Sequence, residues 1–189
     1  MSSNYCNSQK KQMTKEIFMK DFAKYIYEEK EKNDYFEIVF LCIGTDKLIG
    51  DSFGPLVGSK LEKMLEMYSI FNINIYGTLK KNINYTNIGK YINKIKKDHP
   101  NACIVVIDAA LSKEINIGKI YVQRQKITIA KSLNKSKIEV GDISIKAVVG
   151  KNYKISKYNF LCLQNISLNE VINLSEIVAE GIYEVIKYA

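Results

Sequence analysis

Arginine, histidine and proline are nearly missing from this chain of 189 residues, which holds only Arg124, His99, Pro55 and Pro100 of these types. Arginine supplies the planar fork that grips guanine and phosphate, whereas lysine acts as a point charge. The net charge of +8 is therefore carried by lysines spread along the chain. It reads as a solvated basic surface, with no specific nucleic-acid partner expected. The four cysteines, Cys6, Cys42, Cys103 and Cys162, form no CxxC pair and no zinc-type cluster with the lone histidine. The last three lie in FLCI, ACIVVI and FLCLQ, where cysteine behaves as a small buried hydrophobe. No apolar run approaches the roughly 18 residues of a membrane helix. The polar stretch Met1 to Lys15 lacks the apolar centre of a signal peptide. A cytoplasmic protein is the expectation. Dinucleotide (G-x-G-x-x-G), P-loop and nucleophile-elbow (G-x-S-x-G) motifs are all missing.

What is present is an alternation of strand and helix signals. Residues 1–12 look loose and 13–189 read as a single domain. Phe18, Phe22, Tyr25 and Ile26 recur at helical spacing within Thr14 to Glu29. EIVFLCI (37–43) is a short strand-forming run buried on both faces. After a glycine-punctuated loop, Pro55 opens a helix carrying Val57, Leu61 and Leu65 inward. FNINIY (71–76) is a second strand, and Ile88, Tyr91, Ile92 and Ile95 line another helix. ACIVVID (102–108) follows, giving the β-α-β-α-β order of a parallel sheet with helices on its faces. GKIYVQ, ISIKAVV and NFLCLQ read as further strands, some antiparallel. A last helix carries Val171, Leu174, Val178, Ile182 and Val185 inward, behind the S-x-x-E capping pattern of Ser167 and Glu170. The expected fold is α/β, a three-layer α/β/α sandwich on a mostly parallel, mixed sheet.

Ligands of such sheets bind beyond the carboxyl ends of the strands. Two strands end conspicuously there. The first opens into the loop from Gly44 to Pro55, and the third runs into Asp108. Asp51 stands just before a helix start and can point across to Asp108. Two carboxylates at that edge make a candidate catalytic pair, with Gly44, Thr45, Asp46, Gly50, Ser52 and Gly54 as candidate substrate-binding loop residues. Simpler roles exist for each acid. Asp51 or Ser52 can cap the following helix, Asp108 can bond its own loop, and Asp46 can be a solvated loop residue. His99 precedes the third strand, so about 30 Å of extended chain separates it from Asp108. It is expected at the surface near a helix end.

CIGTDKLIGDSFGPLVGSKL, followed in order by IYGTL, VVIDAAL, EVGDI and FLCLQN, resembles the YyaC-type spore protease family from about Val39 onward. The N-terminal helix lies outside this resemblance. The family is similar to the spore germination protease and to the hydrogenase-maturation endopeptidases, which implies the α/β/α fold, phosphorylase/hydrolase-like. The germination protease implies a catalytic role for Asp51 in GDSFGP and Asp108 in VIDA. The maturation enzymes imply instead that acids at these two places, with a histidine, hold nickel of the hydrogenase precursor. This chain has Ser144, in GDISI, where that histidine would be sought.

The resemblance implies a sporulation-associated endopeptidase acting without a cofactor on a protein or peptide, with small acid-soluble spore proteins as the suggested substrate. Its place would be the cytoplasm, including the forespore or spore interior. Two alternatives stay open: a non-catalytic peptide- or metal-binding protein on the same fold, and a hydrolase assisted by a divalent metal on Asp51 and Asp108.

Overall fold

Five strands pair in the order β2-β1-β3-β7-β4, and the helices that connect them cover the sheet. This computed structural model describes residues 2–32, 37–68, 72–130 and 137–187. In chain order the elements are α1 (Ser2–Lys30), β1 (Ile38–Cys42), α2 (Phe53–Tyr68), β2 (Ile73–Tyr76), α3 (Ile88–Asp98) and β3 (Cys103–Ser112). There follow β4 (Ile120–Gln123), β5 (Ile127–Ala130), β6 (Lys137–Val140), β7 (Ile143–Lys151), α4 (Ser156–Gln164) and α5 (Leu168–Lys187). Short 3-10 turns at Gly50–Ser52 and Glu114–Asn116 precede α2 and β4. Strands β2, β1, β3 and β7 run parallel, β4 is antiparallel on the edge, and β5 and β6 form a separate antiparallel ribbon. The mixed, mostly parallel α/β sheet expected from the sequence is the one observed.

Alternation along each strand divides the core in two. Phe40, Cys42, Val105, Ile107, Ile143 and Ile145 face α1, α2 and α5. Val39, Leu41 and Val106 face α3 and the β5–β6 ribbon through Ile88, Ile92, Ile127 and Val140. Phe18 and Phe22 stack at 5.8 Å between ring centres and meet Phe40, fixing α1 to the sheet. Each fully buried phenylalanine contributes roughly 1.5–3 kcal/mol of hydrophobic stabilisation. Lys11 and Lys15 on α1 pair with Glu176, Glu180 and Glu184 on α5 at 2.7–3.0 Å.

Three expectations are corrected. Helix, not loose chain, is described over residues 2–12, because Gln9, Lys10, Lys11 and Gln12 are good helix formers continuous with the anchored part. NFLCLQ is not a strand but most of α4. The neighbouring strand β7 is already paired on both sides, by β3 and β4, so it offers no edge. Asp108 does not end its strand, since β3 continues to Ser112 against β7. The second strand begins at Ile73, and Phe71 lies outside the described residues.

Candidate active site

Strands β1 and β3 stay in register as far as Cys42 and Ile107, and the Ile43 N–H donates to the Ile107 carbonyl at 2.8 Å. There β1 leaves the sheet. Asp108 is thus the first β3 residue without a β1 neighbour, although β7 still flanks it through Lys146. Its side chain shares the face of Val106, where the departing loop opens the sheet edge.

The loop folds tightly on itself. The Thr45 N–H donates to the Asp51 carbonyl at 3.1 Å, and Gly44, at φ +144°, brings its Cα so close that a Cβ would lie 1.9 Å from that same carbonyl oxygen. A Cβ on Gly54 would lie 2.1 Å from the Ile43 carbonyl, and one on Gly50 would meet Leu163 and Ile166 at 2.7 Å. The room left by these glycines is filled by the protein's own chain, which sets Asp51 at the mouth of the loop. Ser52 is buried, and its hydroxyl donates to the Ile49 carbonyl at 2.6 Å, so it is spoken for locally and does not cap α2. Asp46 is exposed. Its carboxylate accepts from the Asn82 amide at 2.6 Å, and the Thr45 hydroxyl accepts from the Lys47 N–H at 3.3 Å.

The two central acids feel each other. Burial pushes the Asp108 carboxyl up from an ordinary 3.8, and the charge on Asp51 adds to the rise, to about 7. Lys146 and the Ala109 N–H oppose it. Burial also raises Asp51, against the pull of the Thr45 N–H. Because the charge of Asp51 acts on Asp108, Asp51 is the member that ionises first and Asp108 the one that keeps its proton.

Lys146 was missed from the sequence, although a single cation in the otherwise apolar ISIKAVV is a readable signal. Asn82 was missed as well, with no signal in its surroundings; its amide oxygen is buried with no hydrogen-bond partner among the described residues. Ser144 stands opposite Val106, buried, with its hydroxyl donating to the Gln123 carbonyl at 3.4 Å. A nickel or other divalent ion does not fit this donor set. The residue paired across from Asp108 is a cation, Ser144 is turned to β4, and among the described residues no group of three or more His, Cys, Asp or Glu is placed for a metal.

His99 is a further correction: it is tucked in rather than at the surface. It closes α3, with Nδ1 2.6 Å from a Glu37 carboxylate oxygen and Nε2 2.8 Å from the Tyr76 hydroxyl. Glu37 also accepts from the Asn74 amide at 2.8 Å. Of the cysteines, Cys42 and Cys103 are buried free thiols, and burial pushes the Cys103 thiol up to about 12. Two adjoining cavities of about 640 and 630 Å³ lie along α4 and α5; neither carboxylate of the pair lines them.

With this geometry in view, comparison places the chain. Residues 7–181 match the family described as "Protein of unknown function (DUF1256)". A Bacillus subtilis (strain 168) protein, "Uncharacterized protein YyaC", is 35% identical over 146 residues, covering 77% of this chain and 67% of that protein. The chain belongs to this family. Its match starts at residue 7, so most of α1, expected to lie outside, falls within it. A [NiFe] hydrogenase maturation protease, HycI from Thermococcus kodakarensis KOD1, superposes with a TM-score of 0.53 over 85% of this chain and 99% of its own, at 19% identity. The fold is therefore the one that protease uses. Among the described residues no helix is long and apolar enough to cross a membrane.

Proposed function

We propose that the chain is an endopeptidase of the sporulating cell, cytoplasmic or within the forespore, that hydrolyses a protein substrate with Asp51 and Asp108. The observation that carries this reading is the split between the two acids at the edge where β1 departs: Asp108 is held near 7 by burial and by the charge of Asp51. One carboxylate and one carboxylic acid at neutral pH are what acid-type peptide hydrolysis requires. The Asp51 carboxylate takes a proton from water as the water oxygen attacks the scissile carbonyl carbon. Asp108 gives its proton to the carbonyl oxygen. When the tetrahedral species collapses, the C–N bond breaks, the leaving amine takes the proton from Asp51, and the hydroxyl proton returns to Asp108.

The maturation-protease fold and the family resemblance both support a peptidase, and small acid-soluble spore proteins are the substrate the resemblance suggests. Incubating the purified chain with such proteins between pH 5 and pH 8, and searching for fragments by mass spectrometry, tests the reading. Fragments formed by the wild type and missing with Asp51→Asn and Asp108→Asn support it. Intact substrate throughout, with folded protein, favours a non-catalytic peptide-binding role.

A further inference from the structure

Strand β7 sets Lys146 directly beside Asp108 of β3, and β4 sets Tyr121 on the other side of the same lysine. Alternation along the three strands turns all three side chains to the face of Val106. Acid, amine and phenol thus form one row across the sheet. One row down, Ser144 is buried and its hydroxyl is committed to the Gln123 carbonyl. In the row of Asp108 the face opens: Lys146 is half-buried and Tyr121 is 38% exposed. The ammonium there is unclaimed. Among the described residues Lys146 makes no hydrogen bond and no ion pair, although its charge acts on Asp108. Placing a lysine in a central strand strips part of the hydration from its charge, and here no fixed partner offsets that cost.

The order of the groups gives this cation a place in the reaction. Asp51 acts on Asp108 from the side where β1 leaves, and Lys146 stands on the opposite, β7 side. A peptide carbonyl held between the acids turns its carbon to the water on Asp51 and its oxygen to Asp108, hence also toward Lys146. Neighbouring strands lie roughly 4.8 Å apart, a span that the flexible four-carbon stem of lysine covers. Resting on the peptidase reading, we propose that Lys146 is a third catalytic group, an electrophile whose ammonium donates a hydrogen bond to the scissile carbonyl oxygen. As the water oxygen bonds to the carbonyl carbon, the C–O π pair moves onto that oxygen. The ammonium meets the gathering charge while Asp108 delivers its proton. Lys146 keeps its own three protons throughout, so the proton exchange between Asp51, Asp108 and the leaving amine is unaltered.

The test takes the bond that the full wild-type chain cleaves in a spore protein and measures kcat and KM against pH on a synthetic peptide spanning it. Lys146→Gln lowers the plateau kcat by about a hundredfold or more with KM little changed, and Lys146→Arg, which keeps a cation, loses clearly less. Lys146→Met, close in shape to the aliphatic stem, carries the same expectation as Lys146→Gln, and circular dichroism checks that each variant is folded. Lys119→Gln, which removes an exposed lysine from the start of β4, cleaves as the wild type does. A phosphinic analogue of the same peptide, whose tetrahedral P–O⁻ stands in for the oxyanion, binds about a hundredfold more weakly to Lys146→Gln than to the wild type. The uncleaved peptide binds Asp51→Asn with and without Lys146→Gln alike. A plateau kcat near that of the wild type with only the alkaline limb displaced overturns the proposal and leaves the peptidase. A loss confined to KM, or a phosphinic peptide bound equally by both proteins, does the same. No cleavage of any spore protein by the folded wild type removes the peptidase reading and this inference with it.

Discussion

The charge of Asp51 acts on Asp108 across the gap where β1 leaves the sheet, and with burial it holds the Asp108 carboxyl at about 7. Fifty-seven positions separate the two in the chain. They meet because Asp108 is one residue past the last β1–β3 register pair, while the Gly44–Asp51 and Gly54–Ile43 contacts fold the loop back over that edge.

Replacing either acid by its amide removes a proton-transfer group without changing its size. Asp51→Asn and Asp108→Asn each lower cleavage by at least about a hundredfold, the scale of one general acid or base. Circular dichroism melts show no loss of stability, so the loss is one of chemistry.

Stability carries the same signature, with a definite sign. Asp108 titrates higher in the folded chain than its ordinary 3.8, so between about 4 and about 7 the native state binds more protons than the unfolded state. Unfolding free energy therefore falls as pH rises through that window, and the contribution of a protonated Asp108 is gone above it. Urea titrations at pH 4.5 and pH 8 should show this decline, with a shallower one for Asp108→Asn.

Lys146 tunes the acid. Its charge lowers Asp108, so Lys146→Met moves the alkaline limb of the cleavage profile to higher pH. The limb is read from kcat against pH. An unmoved limb would mean that Asp108 is not the proton donor.

Gly54→Ala tests the loop closure. The new Cβ would lie 2.1 Å from the Ile43 carbonyl, and backbone on both sides must move. Overpacking of this kind costs about 1–3 kcal/mol, visible as a lowered Tm together with lost cleavage. On the far side of the sheet, His99→Ala leaves Glu37 and Tyr76 without their shared partner and costs about 1–3 kcal/mol, while cleavage by the folded protein is kept.

Periodicity was enough to place β1, β2, β3, α2, α3 and α5, because each is an apolar stripe or run that packs against one sheet. It failed at NFLCLQ, where a short apolar run is equally a strand or a helix and pairing of β7 on both sides decided for helix. The two acids were singled out as lying where β1 and β3 end, yet Asp108 sits inside β3, which pairs with β7 as far as Ser112 and which an apolar run ending at an acid does not reveal. The use of the loop glycines was not legible, since close approach of Ile43, Asp51, Leu163 and Ile166 is a property of the packed chain. Nor was the place of His99: linear distance set it apart from Asp108, and nothing local announced Glu37 and Tyr76 as its partners.

Carboxyl-carbon NMR of Asp108, followed against pH in the wild type and in Asp51→Asn, reaches the central claim directly. The account predicts a wild-type midpoint near 7 that drops clearly when the Asp51 charge is removed. A midpoint in the ordinary aspartate range, or one indifferent to Asp51→Asn, contradicts it.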